Sequence, residues 1–97
     1  MIEVRMTETF RQWAHDLRDD RANARVHNRL DRLATGNFGD VRSVGGGVSE
    51  LRIDYGPGYR LYFTLRGNKL VILLCGCDKR TQARDIKLAQ KMAKDLE

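Results

Sequence analysis

Between Val48 and Leu65 apolar and polar residues alternate on either side of a Gly56-Pro57-Gly58 break. Alternation of period two marks strands, whose successive side chains point to opposite faces. Leu51, Ile53, Tyr55, Tyr59, Leu61, Phe63 and Leu65 fall on one face, and Glu50, Arg52, Asp54, Arg60, Tyr62 and Thr64 on the other. The first set predicts a core and the second an open polar surface. If Tyr55 and Tyr59 close a three-residue loop, Asp54 faces Arg60, Arg52 faces Tyr62 and Glu50 faces Thr64. A second hairpin at Gly67-Asn68 then sets Tyr62 opposite Leu73 and Arg60 opposite Cys75. The run from Leu70 to Cys75 is continuously apolar, as expected of a central strand covered on both faces.

The rest of the chain changes period. Ile2 to Met6 alternates and is short, which predicts a strand. Thr7 suits the N-cap of a helix that carries Phe10, Trp13, Ala14 and Leu17 on one stripe. Asp19 and Asp20 break and recap the chain. A second helix follows, with Ala22, Val26, Leu30 and Leu33 inward, Arg21, Arg25, Arg29 and Arg32 outward, and an end near Gly36. Val41 to Val44 begins a strand that Gly45-Gly46-Gly47 interrupts with a bulge or loop before Val48 resumes it. Thr81 caps a last helix with Ile86, Ala89, Ala93 and Leu96 on its apolar side. The expected architecture is one α+β domain over residues 1–97, in the order β-α-α-β-β-β-α. Its sheet is mostly antiparallel, with two N-terminal helices paired on one face and a C-terminal helix.

Length supports one domain: 97 residues, 41% of them hydrophobic, bury one core, and no apolar run is long enough to span a bilayer. The opening Met1-Ile-Glu-Val-Arg-Met6 lacks a signal peptide's apolar centre, so a cytoplasmic protein without membrane partners is expected. Cys75 and Cys77 sit in the apolar run and read as buried thiols in a reducing compartment, ahead of a metal or redox site. The net charge of +5 is unevenly placed: residues 1–40 hold seven arginines against seven acids, and residues 41–97 hold eleven Lys and Arg against six acids. Such a patch favours a polyanion or an acidic protein.

The candidate chemistry follows from strand parity, which brings Lys79 onto the same face as Glu50, Arg52, Arg60 and Tyr62. Metal-free RNA cleavage needs a base for the 2′-hydroxyl, cations for the growing phosphorane charge, and a proton for the leaving oxygen. Glu50 fits the base, Arg52 and Arg60 bind phosphate oxygens, Lys79 supplies charge or a proton, and Tyr62 stacks on a base or orients the phosphate. No cofactor or metal is called for. Singly, each residue reads better as an ion pair, a solvated group or packing; together the five are more specific. His15 and His27, without partners at ligand or acid–base spacing, read as structural. The arginine stripe of the second helix reads as a solvated face ahead of a contact with ribosomal RNA. The triple glycine lacks the lysine and following helix of a phosphate cradle.

Three segments carry a family resemblance. Glu50 to Phe63, the strand end Leu74-Cys-Gly-Cys-Asp-Lys79, and Thr81 to Lys87 resemble the RelE/ParE toxin superfamily, in its HigB-like "addiction module killer protein" branch, which is related to phage Gp49-like proteins. The resemblance implies a RelE-like fold and the toxin of a type II toxin–antitoxin pair. It implies a ribosome-dependent mRNA endonuclease, neutralised by a small antitoxin, often with a helix-turn-helix domain. By position, Arg60 matches the family's phosphate-binding arginine, Arg52 a basic strand residue, and Glu50 a place held by lysine or an acid. Lys79 or Arg80 matches the basic residue after the central strand, Arg80 as a substrate-binding group. The family's C-terminal Tyr or His has no counterpart in Ile86 to Glu97. That departure leaves room for ParE-like poisoning of DNA gyrase, and a non-catalytic RNA- or protein-binding module is the third alternative.

Overall fold

The computed structural model describes residues 2–96; Met1 and Glu97, the outer ends of the two terminal segments named above, lie outside it. The elements run β1 (Glu3–Met6), α1 (Glu8–His15), α2 (Asp20–Ala34), β2 (Val41–Gly45), β3 (Val48–Ile53), β4 (Tyr59–Arg66), β5 (Leu70–Cys77), a 3-10 turn (Lys79–Thr81) and α3 (Gln82–Asp95). The sheet order is β1-β5-β4-β3-β2. Only β1 and β5 pair in parallel; the other neighbours are antiparallel. The α+β class and the placement of the helices are as expected, with one strand more in the sheet.

The extra strand is β2. Its antiparallel register with β3 joins Val41 to Leu51 and Arg42 to Glu50. Gly45-Gly46-Gly47 therefore reverses the chain instead of interrupting a single strand. All three glycines have positive φ, a conformation that L side chains rarely adopt and that hairpin turns require.

Helix starts follow their caps. The Thr7 hydroxyl accepts from the Phe10 N–H at 3.1 Å and donates to the Leu74 carbonyl at 2.6 Å, so one side chain both caps α1 and ties it to β5. Asp19 accepts from the N–H groups of Arg21 and Ala22, starting α2. Thr81 makes no side-chain cap bond; Asp78 caps the preceding turn through the Arg80 N–H at 2.8 Å.

Two cores sandwich the sheet. Phe10, Val26, Leu30 and Leu33 from α1 and α2 pack on Leu51, Ile53, Leu61, Phe63, Val71 and Leu73. On the opposite face, Ala89 and Ala93 of α3 pack on Val48, Tyr62, Leu74, Cys75 and Cys77. Leu96, expected on the apolar side of α3, is exposed at its end. At Gly76, a Cβ would lie 2.4 Å from Trp13 Cε3, so the α1 ring rests directly on the strand backbone.

Both hairpin registers differ from those expected, for local reasons. The β3–β4 loop runs over five residues, with Ile53 opposite Tyr59, Arg52 opposite Arg60 and Glu50 opposite Tyr62. Tyr55 leaves the strand because it has better partners on α2: its ring lies 4.6 Å from the Arg25 guanidinium and its hydroxyl donates to Asp19 at 3.3 Å. The β4–β5 turn takes in Lys69, so Arg66 meets Leu70, and a bulge between Tyr62 and Phe63 shifts the ladder once more. Tyr62 thereby faces Cys75, and Arg60 faces Cys77. Two one-residue shifts cancel in parity, which keeps Arg60 on the face expected for it.

Candidate functional site

The polar face of β3 and β4 is not open. Because β5 is apolar on both sides, α3 covers it, and the cover extends over Glu50 and Tyr62, both 0% exposed. The Glu50 carboxylate accepts from Arg42 Nε, the Tyr62 hydroxyl and Gln82 Nε2, each at 2.9 Å. Burial pushes this carboxyl's pKa up, but the hydrogen bonds from Arg42, Tyr62 and Gln82 outweigh it and hold the group below its ordinary value. Glu50 is thus a buried, ionised carboxylate without access to a substrate, contrary to its expected place as a surface base. Tyr62 is likewise out of reach of a nucleobase. Burial, with Cys77 and Glu50 beside it, raises its pKa well above the normal phenol value. The free thiols share this environment: burial raises Cys75 to about 12 and Cys77 to about 11.

Where α3 ends its cover, the same face opens into a cleft. It has a volume of about 350 Å³ and is lined by Asp40, Arg52, Asp54, Tyr59, Arg60 and Lys79, with the Gly56-Pro57-Gly58 loop as one wall. The five residues expected on one surface therefore divide: Arg52, Arg60 and Lys79 meet in the cleft, while Glu50 and Tyr62 lie beneath the helix.

Each cation is held differently. Arg52 is half-exposed and donates to Asp40 Oδ1 at 3.1 Å, an ion pair that raises its pKa. The Asp40 loop is itself fixed by Arg29, whose guanidinium donates to the Arg52 and Phe38 carbonyls. Arg60 is only 12% exposed; its Nη1 donates to the Gly58 carbonyl at 3.1 Å, and its Nε stands 3.9 Å from Glu50 Oε2. Lys79 reaches the cleft from the 3-10 turn. Arg80, expected to bind substrate, is exposed and folds back on Asp78 with contacts of 2.8 to 3.3 Å. It is not among the cleft residues.

Sequence reasoning passed over Asp40, Tyr59 and the loop position of Asp54 as cleft residues, and Arg42 and Gln82 as partners of Glu50. One signal was available: a strand apolar on both faces implies a helix over the polar side of its neighbours. Among the described residues no three His, Cys, Asp or Glu side chains gather as metal ligands. Among the described residues no helix is long and apolar enough to cross a membrane.

In chemical terms the cleft gathers three cations, Arg52, Arg60 and Lys79, beside the carboxylates of Asp40 and Asp54. Arg52 and Arg60 stand directly opposite each other on neighbouring strands, a like-charge pairing offset by a carboxylate beside each guanidinium, Asp40 at Arg52 and Glu50 at Arg60. Of the comparisons with known proteins, one gives a family and neither names an activity. A protein of Haemophilus influenzae called "Uncharacterized protein" is 50% identical over 95 residues, which span 98% of this chain and 96% of the relative. Residues 12–94 match the family described as "Phage derived protein Gp49-like (DUF891)", and the chain belongs to that family.

Proposed function

We propose that this chain is the toxin of a type II toxin–antitoxin pair and that it cuts mRNA in the ribosomal A site without a metal. One observation carries the reading: Arg52 and Arg60, opposed across two strands, open with Lys79 into a single cleft. Membership of a phage-derived family is in keeping with a toxin–antitoxin role. Two planar guanidiniums and one ammonium suit the non-bridging oxygens of a phosphodiester, whose charge grows in the transition state.

In this reading the 2′-hydroxyl oxygen attacks phosphorus, a cyclic phosphate forms and the 5′-oxygen leaves. Arg60 and Arg52 hold the phosphate, and Lys79 gives the leaving oxygen its proton. Glu50 cannot take the proton of the 2′-hydroxyl, because it is buried and hydrogen-bonded on both oxygens. That role passes to Asp54, a carboxylate at the cleft; Asp40 is already engaged by Arg52. The antitoxin would silence the protein by bringing acidic and apolar groups to this basic surface.

Purified protein added to cell-free translation should give discrete mRNA breaks, mapped by primer extension, that persist in EDTA and need ribosomes. Intact message under those conditions overturns the reading. A rival, gyrase poisoning, is favoured by the lack of any Tyr or His between Ile86 and Leu96. It expects double-strand DNA breaks in a supercoiling reaction and untouched mRNA.

A further inference from the structure

The fully buried Glu50 has no part in the chemistry just described, yet it is the hub of the polar face. A carboxylate in a core is costly to desolvate, and an apolar side chain of similar size commonly serves stability as well or better. Packing alone therefore gives a poor account of it. Its ligands come from three elements: Arg42 on β2, Tyr62 on β4 and Gln82 on α3. The fourth neighbour is Arg60, whose Nε is buried, has no hydrogen-bond partner and lies 3.9 Å from Glu50 Oε2. Since the Gly58 carbonyl takes Nη1, the guanidinium is located from two sides: by a hydrogen bond at one nitrogen and by the charge of Glu50 at another. Among the described residues Nη2 has no hydrogen-bond partner, and Arg60 lines the cleft.

We propose that Glu50 is a positioning residue for Arg60: its buried negative charge sets the plane of the guanidinium, so that the cleft meets a phosphate with a donor already aimed. This inference rests on reading the cleft as a phosphodiester site. It assigns to Glu50 an effect on the transition state, exerted through Arg60, and none on substrate docking. Preorganised donors cost no rearrangement during reaction, and small misplacements are expensive.

The test pairs Glu50→Gln, which keeps shape and removes charge, with Glu50→Asp, which keeps charge and withdraws it from Arg60. In ribosome-dependent cleavage, kcat should fall about 100-fold in E50Q and about 10-fold in E50D, with KM within about twofold of wild type. Side-chain NMR of 15N-arginine protein supplies a readout free of activity. The Arg60 Nε–H should be a distinct, slowly exchanging signal that shifts when a non-cleavable 2′-O-methyl RNA trinucleotide is added. In the variants it should merge with the exposed arginines while the backbone spectrum persists. Should E50Q fail to fold, E50D and the wild-type signal still decide. An unchanged Arg60 signal in a folded variant, or a loss in KM alone, overturns the proposal. Wild-type protein that cuts no message but shows the anchored signal refutes the function proposed above and leaves the positioning intact.

Discussion

The two faces of this sheet are built from the same alternating strands and differ in what they enclose. Under α1 and α2 the core is apolar: Phe10, Leu33, Leu51, Leu61, Phe63 and Leu73 meet with no charged side chain among them. Under α3 the core begins the same way, with Val48, Leu74 and Ala89, then becomes polar around Glu50 and Tyr62 and ends in a cationic cleft. The first face carries stability. The second spends part of its stability holding charges in place, since buried polar groups cost free energy unless matched, and Arg60 Nε and Asp85 Oδ2 there have no hydrogen-bond partner. The comparison teaches that coverage by a helix does not by itself mark a face as inert. Here α3 shields the network that locates Arg60 and stops short of the cleft.

The contrast can be tested by substitution. The largest effect is expected on the apolar face, where Phe63→Ala should cost about 3–5 kcal/mol in urea unfolding and leave the cleft's affinity for RNA unchanged in the folded fraction. A loss of affinity beyond the unfolded fraction would show the faces to be coupled. On the polar face the order reverses: Arg60→Ala should lower kcat/KM for message cleavage by about 10²–10³ with a smaller change in Tm. Equal losses of stability and activity would blur the distinction.

Acid separates the faces next. Glu50 has a folded-state pKa below its ordinary value of 4.5, so the stability it contributes is fully present above that value. It is lost as the pH falls through the lowered folded value. Wild type should therefore lose stability faster than E50Q as the pH drops below 4.5, measured by denaturant midpoints at each pH. Parallel curves would mean the carboxylate is not held as described. The smallest effect concerns Asp40, whose exposed ion pair with Arg52 would compete with a phosphate bound in the cleft. Asp40→Asn should tighten RNA binding at low salt by no more than about fivefold, as exposed ion pairs are weak and screened by salt. Weaker binding would instead make Asp40 part of the site.

Legibility in the sequence was uneven. Thr7 and Asp19 announced their helices because a cap is a local hydrogen bond between near neighbours. The parity of β3 and β4 was equally plain, and it placed Arg52 and Arg60 on one face. The partners across the strands were not legible. They depend on how Tyr55 docks against Arg25 and Asp19, 30 and 36 residues away, and on a bulge beside Tyr62. The reversal at Gly45-Gly46-Gly47 was ambiguous, because glycine permits a bulge, a loop or a turn equally well.

The sequence alone determined the α+β class, most of the two apolar stripes of the N-terminal helices (Leu17 lies beyond α1), the two faces of β3 and β4 apart from Asp54 and Tyr55, which fall in the loop, and the excess positive charge of residues 41–97. These are properties of period and composition, which neighbouring residues fix among themselves. Only the tertiary structure decided which members of the polar face are buried and which meet a ligand. The end of the α3 cover lies between Glu50 and Arg52, two residues apart on one strand. That boundary lies where α3 begins: Gln82, its first residue, bonds Glu50, while Lys79 of the preceding turn lines the cleft, a relation between distant segments that no local pattern encodes.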